Sequence, residues 1–260
     1  MALWLSPDHG RELAATVVDA TRQVQSGPMP PVSDRDFPRP GHEEERERLL
    51  PAVPSEAGVT GHAFSQTQSP DGGGSPVTWS PCRPIHYALA VTGAPATFAQ
   101  DVELAVTELS AATGLVFVDD GATSERPRPQ RASFQPDRYG DRWAPVLIGF
   151  TDPATVPDLA GSIAGVAGPT GAVDQRTGKA HYVSGTVYLD VSLLSTPPSG
   201  PPERTFVPVL RHELGHLVGL AHTDDAAQLM FPSYQGVEHF APGDLAGLAA
   251  VGRGPCAPGV

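Results

Sequence analysis

No stretch of the 260 residues approaches the ~18 consecutive apolar positions that a membrane-spanning helix needs. A leader is equally hard to find: residues 1–5 are too few for the apolar core of a signal peptide, and Asp8 soon interrupts. Positive charge is scarce. Lys and Arg total 17 against 29 Asp and Glu, and the net charge of -12 argues against nucleic acid or an anionic membrane as partner. No internal repeat is evident. The glycine run at residues 71–74 is not a phosphate loop, because no Lys-Ser/Thr follows it. Cysteine is almost absent: Cys82 and Cys256 are the only two, so the chain can form at most one disulfide.

Proline and glycine are plentiful, at 29 and 28, and they concentrate in loops and in the N-terminal part. Three regions follow. Residues 1–26 form an N-terminal helical segment, with a helix expected over 6–24: Ser6 caps it, Pro7 occupies the first turn, and Leu13, Val17 and Val24 line one side. Residues 27–77 are rich in Pro, Gly and Ser with a charged patch at 43–48, and read as a largely disordered linker. Residues 78–260 are long enough to bury a sizeable core.

The chemistry lies in HELGHLVGLAH, where His212, Glu213, His216, Gly219 and His222 spell H-E-x-x-H-x-x-G-x-x-H. Positions four apart on a helix share a face, so His212 and His216 can bind one zinc ion. Glu213 can reach a water in an open coordination position without being a ligand. Gly219 can adopt backbone angles closed to other residues, so the helix can stop and the chain can return His222 to the metal. Three neutral nitrogens leave a fourth position free, which is the catalytic pattern rather than the closed structural one. On the opposite side Leu210, Leu214, Leu217 and Val218 make a core-facing stripe, with Thr205 as N-cap and Pro208 in the first turn. An amphipathic helix with incidental histidines is the competing reading. Five fixed residues coincide by chance at a given position with a probability on the order of one in a few million.

This motif, followed by Met230, resembles the metzincin clan of zinc peptidases. The segment after Met230 looks most like the matrixin branch, which follows its Met turn with Pro-x-Tyr; here Pro232-Ser233-Tyr234 stands in that place. Astacins and serralysins carry a tyrosine ligand two residues after the Met, and that slot is Pro232. The resemblance covers roughly residues 78–260. It implies that Met230 lies beneath the zinc and that Pro232 and Tyr234 wall the substrate pocket. Taken alone, Met230 would read as core filler.

Element patterns agree with that comparison. Strands are expected at 85–91, 115–118, 146–150 and 186–190, and helices at 96–112 and 242–251, with Asp244 where the helix dipole favours an anion. By pattern alone the fold is α/β or α+β. The resemblance narrows it to an α+β (α/β-like) metzincin domain: a twisted mixed sheet, a backing helix, an active-site helix and a C-terminal helix. Residues 163–168 sit where matrixins carry the edge strand above the cleft; a plain Gly-rich loop is an equal reading.

Cys82 and Cys256 bracket this domain, which favours a disulfide tying its ends. Two alternatives stand beside it: Cys82 as an inhibitory thiolate like that of matrixin propeptides, whose motif Ser80-Pro81-Cys82-Arg83-Pro84 does not match, and two free buried thiols. His181, Asp174 and Asp190 fall where matrixins hold a second zinc and calcium but lack the family spacing, so one catalytic zinc is expected and calcium stays open. His86 reads as packed on a strand, His9, His42, His62 and His239 as solvated, and Asp224 and Asp225 as turn formers. The reading is a secreted, monomeric zinc endopeptidase acting on proteins or peptides, with Glu213 as general base. The alternative is a metzincin-like module that holds zinc without turnover; the intact Glu213 argues against it.

Overall fold

The computed structural model describes residues 37–54, 58–69, 74–194 and 206–260. The helix expected over residues 6–24 and the cap expected at Thr205 lie outside the described residues. The strands are β1 (Ala63–Phe64), β2 (Thr78–Trp79), β3 (Ile85–Ala90), β4 (Phe117–Ala122), β5 (Val146–Thr151), β6 (Gly165–Val173), β7 (Ala180–Asp190) and β8 (Leu220–Ala221). Among the described residues the helices longer than one turn are α1 (Phe98–Thr113), α2 (Val207–Val218) and α3 (Pro242–Val251).

Five strands run in the order β2-β7-β5-β3-β4, each parallel to its neighbours. β6 lies antiparallel along the other side of β7, from Gly165↔Leu189 to Val173↔Ala180. The sheet is therefore mixed, and the domain is α+β. All six residues of β5, Val-Leu-Ile-Gly-Phe-Thr, are buried, as expected for a central parallel strand covered on both faces. One face carries α1 and α2. Phe98 of α1, Phe150 of β5 and Phe206 at the start of α2 meet there, with ring centroids 5.3 to 6.1 Å apart. The contact fixes where α2 enters the core.

The elements follow the sequence pattern with informative differences. α3 spans 242–251 as expected, and α1 ends at Gly114 in the left-handed region. β4 starts at Phe117 rather than residue 115, because the helix end uses the Leu115 backbone: its carbonyl accepts from the Ser110 hydroxyl at 2.6 Å and its N–H donates to Thr113 at 3.2 Å. β7 has 11 residues rather than five. Its first half pairs with β2 and its second with β5, so backbone partners extend it beyond the apolar run. Residues 165–168 belong to the edge strand, not to a loop.

The stretch expected as a disordered linker behaves differently where it is described. Residues 37–54 cross the end of the domain. Arg48 donates to the Gly252 carbonyl at 2.9 Å, Glu45 N–H to the Cys82 carbonyl at 2.7 Å, and Phe37 packs edge-on against Trp143. Glu44 belongs to the charged patch of this stretch, yet its side chain is only 2% exposed. Its carboxylate accepts from the Ser80 hydroxyl at 2.5 Å and the Ala257 N–H at 2.6 Å. These partners flank Cys82 and Cys256, which form a disulfide with Cα atoms 5.3 Å apart. Neither cysteine is free, so Cys82 is no thiolate cap for a metal.

A second buried network pins the long connection between β4 and β5. Glu125 receives both prongs of Arg131 at 2.8 and 2.9 Å, the Tyr139 hydroxyl at 2.7 Å and the Gln135 amide at 2.8 Å. Arg131 also reaches Ser184 Oγ and the Gly185 carbonyl on β7. Burial by itself would raise the Glu125 carboxyl, but the hydrogen bonds from Arg131, Tyr139 and Gln135 with the Arg131 charge outweigh it and bring it down to about 2.

Two predictions follow from this packing. Replacing both cysteines by serine should lower the thermal midpoint, with a stability loss of about 2–5 kcal/mol. An unchanged midpoint would show that the bond constrains nothing. A carboxyl depressed on folding stabilises above its unfolded pKa and loses that contribution as pH falls through its folded value. Glu125 therefore contributes roughly 3 kcal/mol at neutral pH, lost between about pH 4.5 and 2. Denaturant titrations of wild type and Glu125→Gln should differ at pH 7 and converge near pH 2. Parallel curves at every pH would refute the clamp.

Candidate metal centre

α2 carries the H-E-x-x-H pair and is buried on two sides. Leu210, Leu214, Leu217 and Val218 sink into the main core, as their spacing predicts. Glu213 and His216 are buried on the other side, at 5% and 3% exposure. Pro208 falls in the first turn, where its missing N–H costs no helical bond. The helix stops at Gly219, whose φ of 112° is a left-handed conformation that a side chain would strain. Its N–H returns to the Gly215 and His216 carbonyls. The chain then turns through β8 and brings His222 back beside the helix.

The three Nε2 atoms of His212, His216 and His222 lie 3.1 Å from one another. The distances fall within hydrogen-bonding range, but between His212 and His216 no proton is available. His212 Nδ1 stands 2.7 Å from the Leu229 carbonyl and His216 Nδ1 2.9 Å from the Leu220 carbonyl. A carbonyl only accepts, so both Nδ1 atoms carry the ring proton and both Nε2 atoms present lone pairs. Burial holds the rings neutral: it pushes His216 down to about 3, aided by the neighbouring His212, and lowers His212 and His222 as well. Converging lone pairs repel unless a cation stands between them. A tetrahedral ion with bonds of ~2.0–2.1 Å separates its ligands by about 3.3–3.4 Å, close to the spacing here. The donor set thus fits a metal with three imidazole ligands.

Backbone carbonyls orient two of the ligands, and the loop supplying the Leu229 carbonyl is itself held. Met230 is 1% exposed, and its sulfur lies so close to Gly215 that no side chain could stand there. The Met230 carbonyl accepts from Thr223 N–H at 3.1 Å, next to His222. Asp244, fully buried at the start of α3, accepts from Leu229 N–H at 2.7 Å, Met230 N–H at 3.2 Å and Ala241 N–H at 2.9 Å. Asp244 was legible only as an anion at a helix start; its grip on the Met230 turn had no sequence signal. Pro232 and Tyr234 stand half-buried in the segment between Met230 and α3.

Glu213 has no ion-pair partner among the described residues, and burial pushes its carboxyl up to about 8. A dication at the triad would draw it back toward the ionised form. Gly165 at the start of β6 packs on it: a side-chain carbon there would come within 2.8 Å of Glu213 Cγ and 2.9 Å of Oε1. The edge strand thus begins against the buried carboxylate.

Residues 156–249 match the family model described as Matrixin. The domain is matrixin-like. The matched stretch contains β6, β7, all three histidines, Glu213, Met230, Pro232 and Tyr234, and stops short of the two cysteines and of β1 to β5. No curated protein matches the chain. The likeness to Matrixin over these residues points to zinc as the metal and to protein as the substrate class.

Other residues in this matrixin-like domain take structural roles. Among the described residues one further group could hold a metal, Glu44 with Cys82 and Cys256, and there the cysteines are joined. Asp174 is fully buried and accepts three backbone N–H groups, from Arg176, Thr177 and Gly259, while Asp190 closes the turn at Ser192, at the far end of β7. His181 is buried in β7, and burial lowers it despite Asp174 nearby. Asp225 makes its turn by accepting from Ala227 N–H and the Gln228 amide. His86 sits 2.7 Å from Asp120, and His239 is exposed beside Glu108.

His222→Ala should remove one of the three nitrogens and lower zinc affinity by well over tenfold. Competition against a chromophoric chelator reads this directly. Wild-type affinity in that variant would show that His222 is not a ligand.

Proposed function

We propose that this chain is a zinc-dependent endopeptidase. The observation that carries the proposal is the convergence of three imidazole Nε2 atoms near one buried carboxyl at the head of an edge strand. His212, His216 and His222 hold the ion. Zinc, when bound, supplies Lewis acidity to the scissile carbonyl and to the attacking water. Glu213 takes the proton from that water and delivers it to the departing amine. Beside a bound dication its carboxyl is drawn toward the ionised form, which is the form that accepts the proton.

β6 offers its outer edge, and an extended peptide can add to such an edge as a further strand. Small residues at Gly165, Ala167 and Gly168 let the peptide backbone approach. Pro232 and Tyr234 wall the pocket for the substrate side chain, with Met230 beneath the metal. The Cys82–Cys256 bond favours an oxidising compartment and supports export. No helix among the described residues is long and apolar enough to cross a membrane.

Glu213→Gln is the decisive variant, because it keeps shape and removes the base. It should bind about one zinc per chain and lose peptidase activity by 10²-fold or more on casein or a peptide mixture. A metal-replete variant that still cleaves at the wild-type rate would remove Glu213 from the mechanism. A wild-type chain that binds zinc and cleaves nothing would favour a binding module instead.

A further inference from the structure

The turn that carries the third ligand leaves α2 through the left-handed Gly219 and continues as Leu220–Ala221 into His222. Among the described residues this two-residue strand pairs with no strand of the main sheet. Its partner is β1, from the stretch expected to be linker. Phe64 pairs with Leu220 and Ala63 with Ala221, antiparallel. The pairing continues at Ser65, whose N–H donates to the Gly219 carbonyl at 2.9 Å and whose hydroxyl reaches the same oxygen at 3.1 Å.

The residues just before β1 are anchored elsewhere. A side-chain carbon at Gly243 would meet the Thr60 carbonyl at 2.7 Å, and one at Gly247 would meet His62 Cβ at 2.9 Å, so residues 60–62 lie tight along α3. The Phe64 ring packs against the main core. β1 therefore ties the ligand-bearing turn both to α3 and to the core.

Two of the three ligands depend on that turn. The Leu220 carbonyl orients His216 through Nδ1 at 2.9 Å, and Ala221 is the residue before His222. We infer that β1, with Ser65 at its end, is a positioning element for His216 and His222, acting through the backbone of residues 219–221. The inference rests on the reading of the triad as a zinc site. Groups that orient metal ligands from outside typically change metal affinity by about 10–100-fold when removed.

The full 260-residue chain is the object of the test, with zinc affinity by chelator competition, the visible absorption of the cobalt(II)-substituted protein, and the thermal midpoint of metal-free protein as three readouts. Ser65→Pro removes both the N–H and the hydroxyl that hold Gly219. It should weaken zinc binding about tenfold or more and alter the cobalt bands, because the ligand geometry loosens. Ser65→Ala keeps the N–H and should cost less than about threefold. Phe64→Leu should behave as wild type. If Ser65→Pro does not fold, Phe64→Ala makes the same comparison. A variant with a lower metal-free midpoint but wild-type zinc affinity and cobalt spectrum overturns the inference, since β1 would then be packing alone. A wild-type chain that takes up no zinc overturns the reading of the triad itself, which the unchanged-variant outcome does not.

Discussion

Three imidazoles whose Nε2 atoms meet within 3.1 Å impose the constraint to which the rest of this domain answers. The Nε2 atoms of His212 and His216, 3.1 Å apart with no proton between them, repel, and the third nitrogen stands 3.1 Å from both. A cation at their centre converts the repulsion into three bonds. Holding the rings in that arrangement takes fixed partners behind two of them, His212 and His216. The Leu229 and Leu220 carbonyls provide them, and those carbonyls are fixed in turn by Asp244 through the Met230 turn and by β1. The buried leucines of α2 and the Phe98, Phe150 and Phe206 cluster set the helix on which two ligands ride.

The same burial prepares the neighbouring carboxylate. Glu213 is one residue from a ligand, walled by β6 at Gly165, and its carboxyl is pushed up to about 8. A close-packed glycine at that point does two things at once. It brings an open sheet edge against the Glu213 side chain, and it helps to keep that side chain buried. Structure elsewhere is held by networks without direct contact with this centre: the disulfide with Glu44 at one end, and the Glu125–Arg131 clamp over the opposite face of the sheet.

The sequence was most readable where spacing alone dictates geometry. Histidines at 212 and 216 must share a helical face, Gly219 must end the helix, and the leucine stripe must face the core; all three hold in the structure. α3 was legible to the residue because Pro242 and Asp244 mark its start. Long-range contacts were not legible. β1 has only two residues and no alternating pattern, so nothing in Ala63 and Phe64 announces a pairing with residues 220–221. Glu44 fell in a stretch read as linker because its partners lie far off in sequence, at residues 80 and 257. β6 stayed ambiguous between strand and loop because its small residues carry no hydrophobic period, and only β7 beside it decides the matter.

X-ray absorption at the zinc edge of the loaded chain tests the central claim most directly, because it counts and identifies the atoms around the ion. The account predicts a four-coordinate site with nitrogen and oxygen at ~2.0–2.1 Å, outer-shell scattering from three imidazoles, and no sulfur. A site with fewer than three imidazoles, or with sulfur at ~2.3 Å, would contradict it.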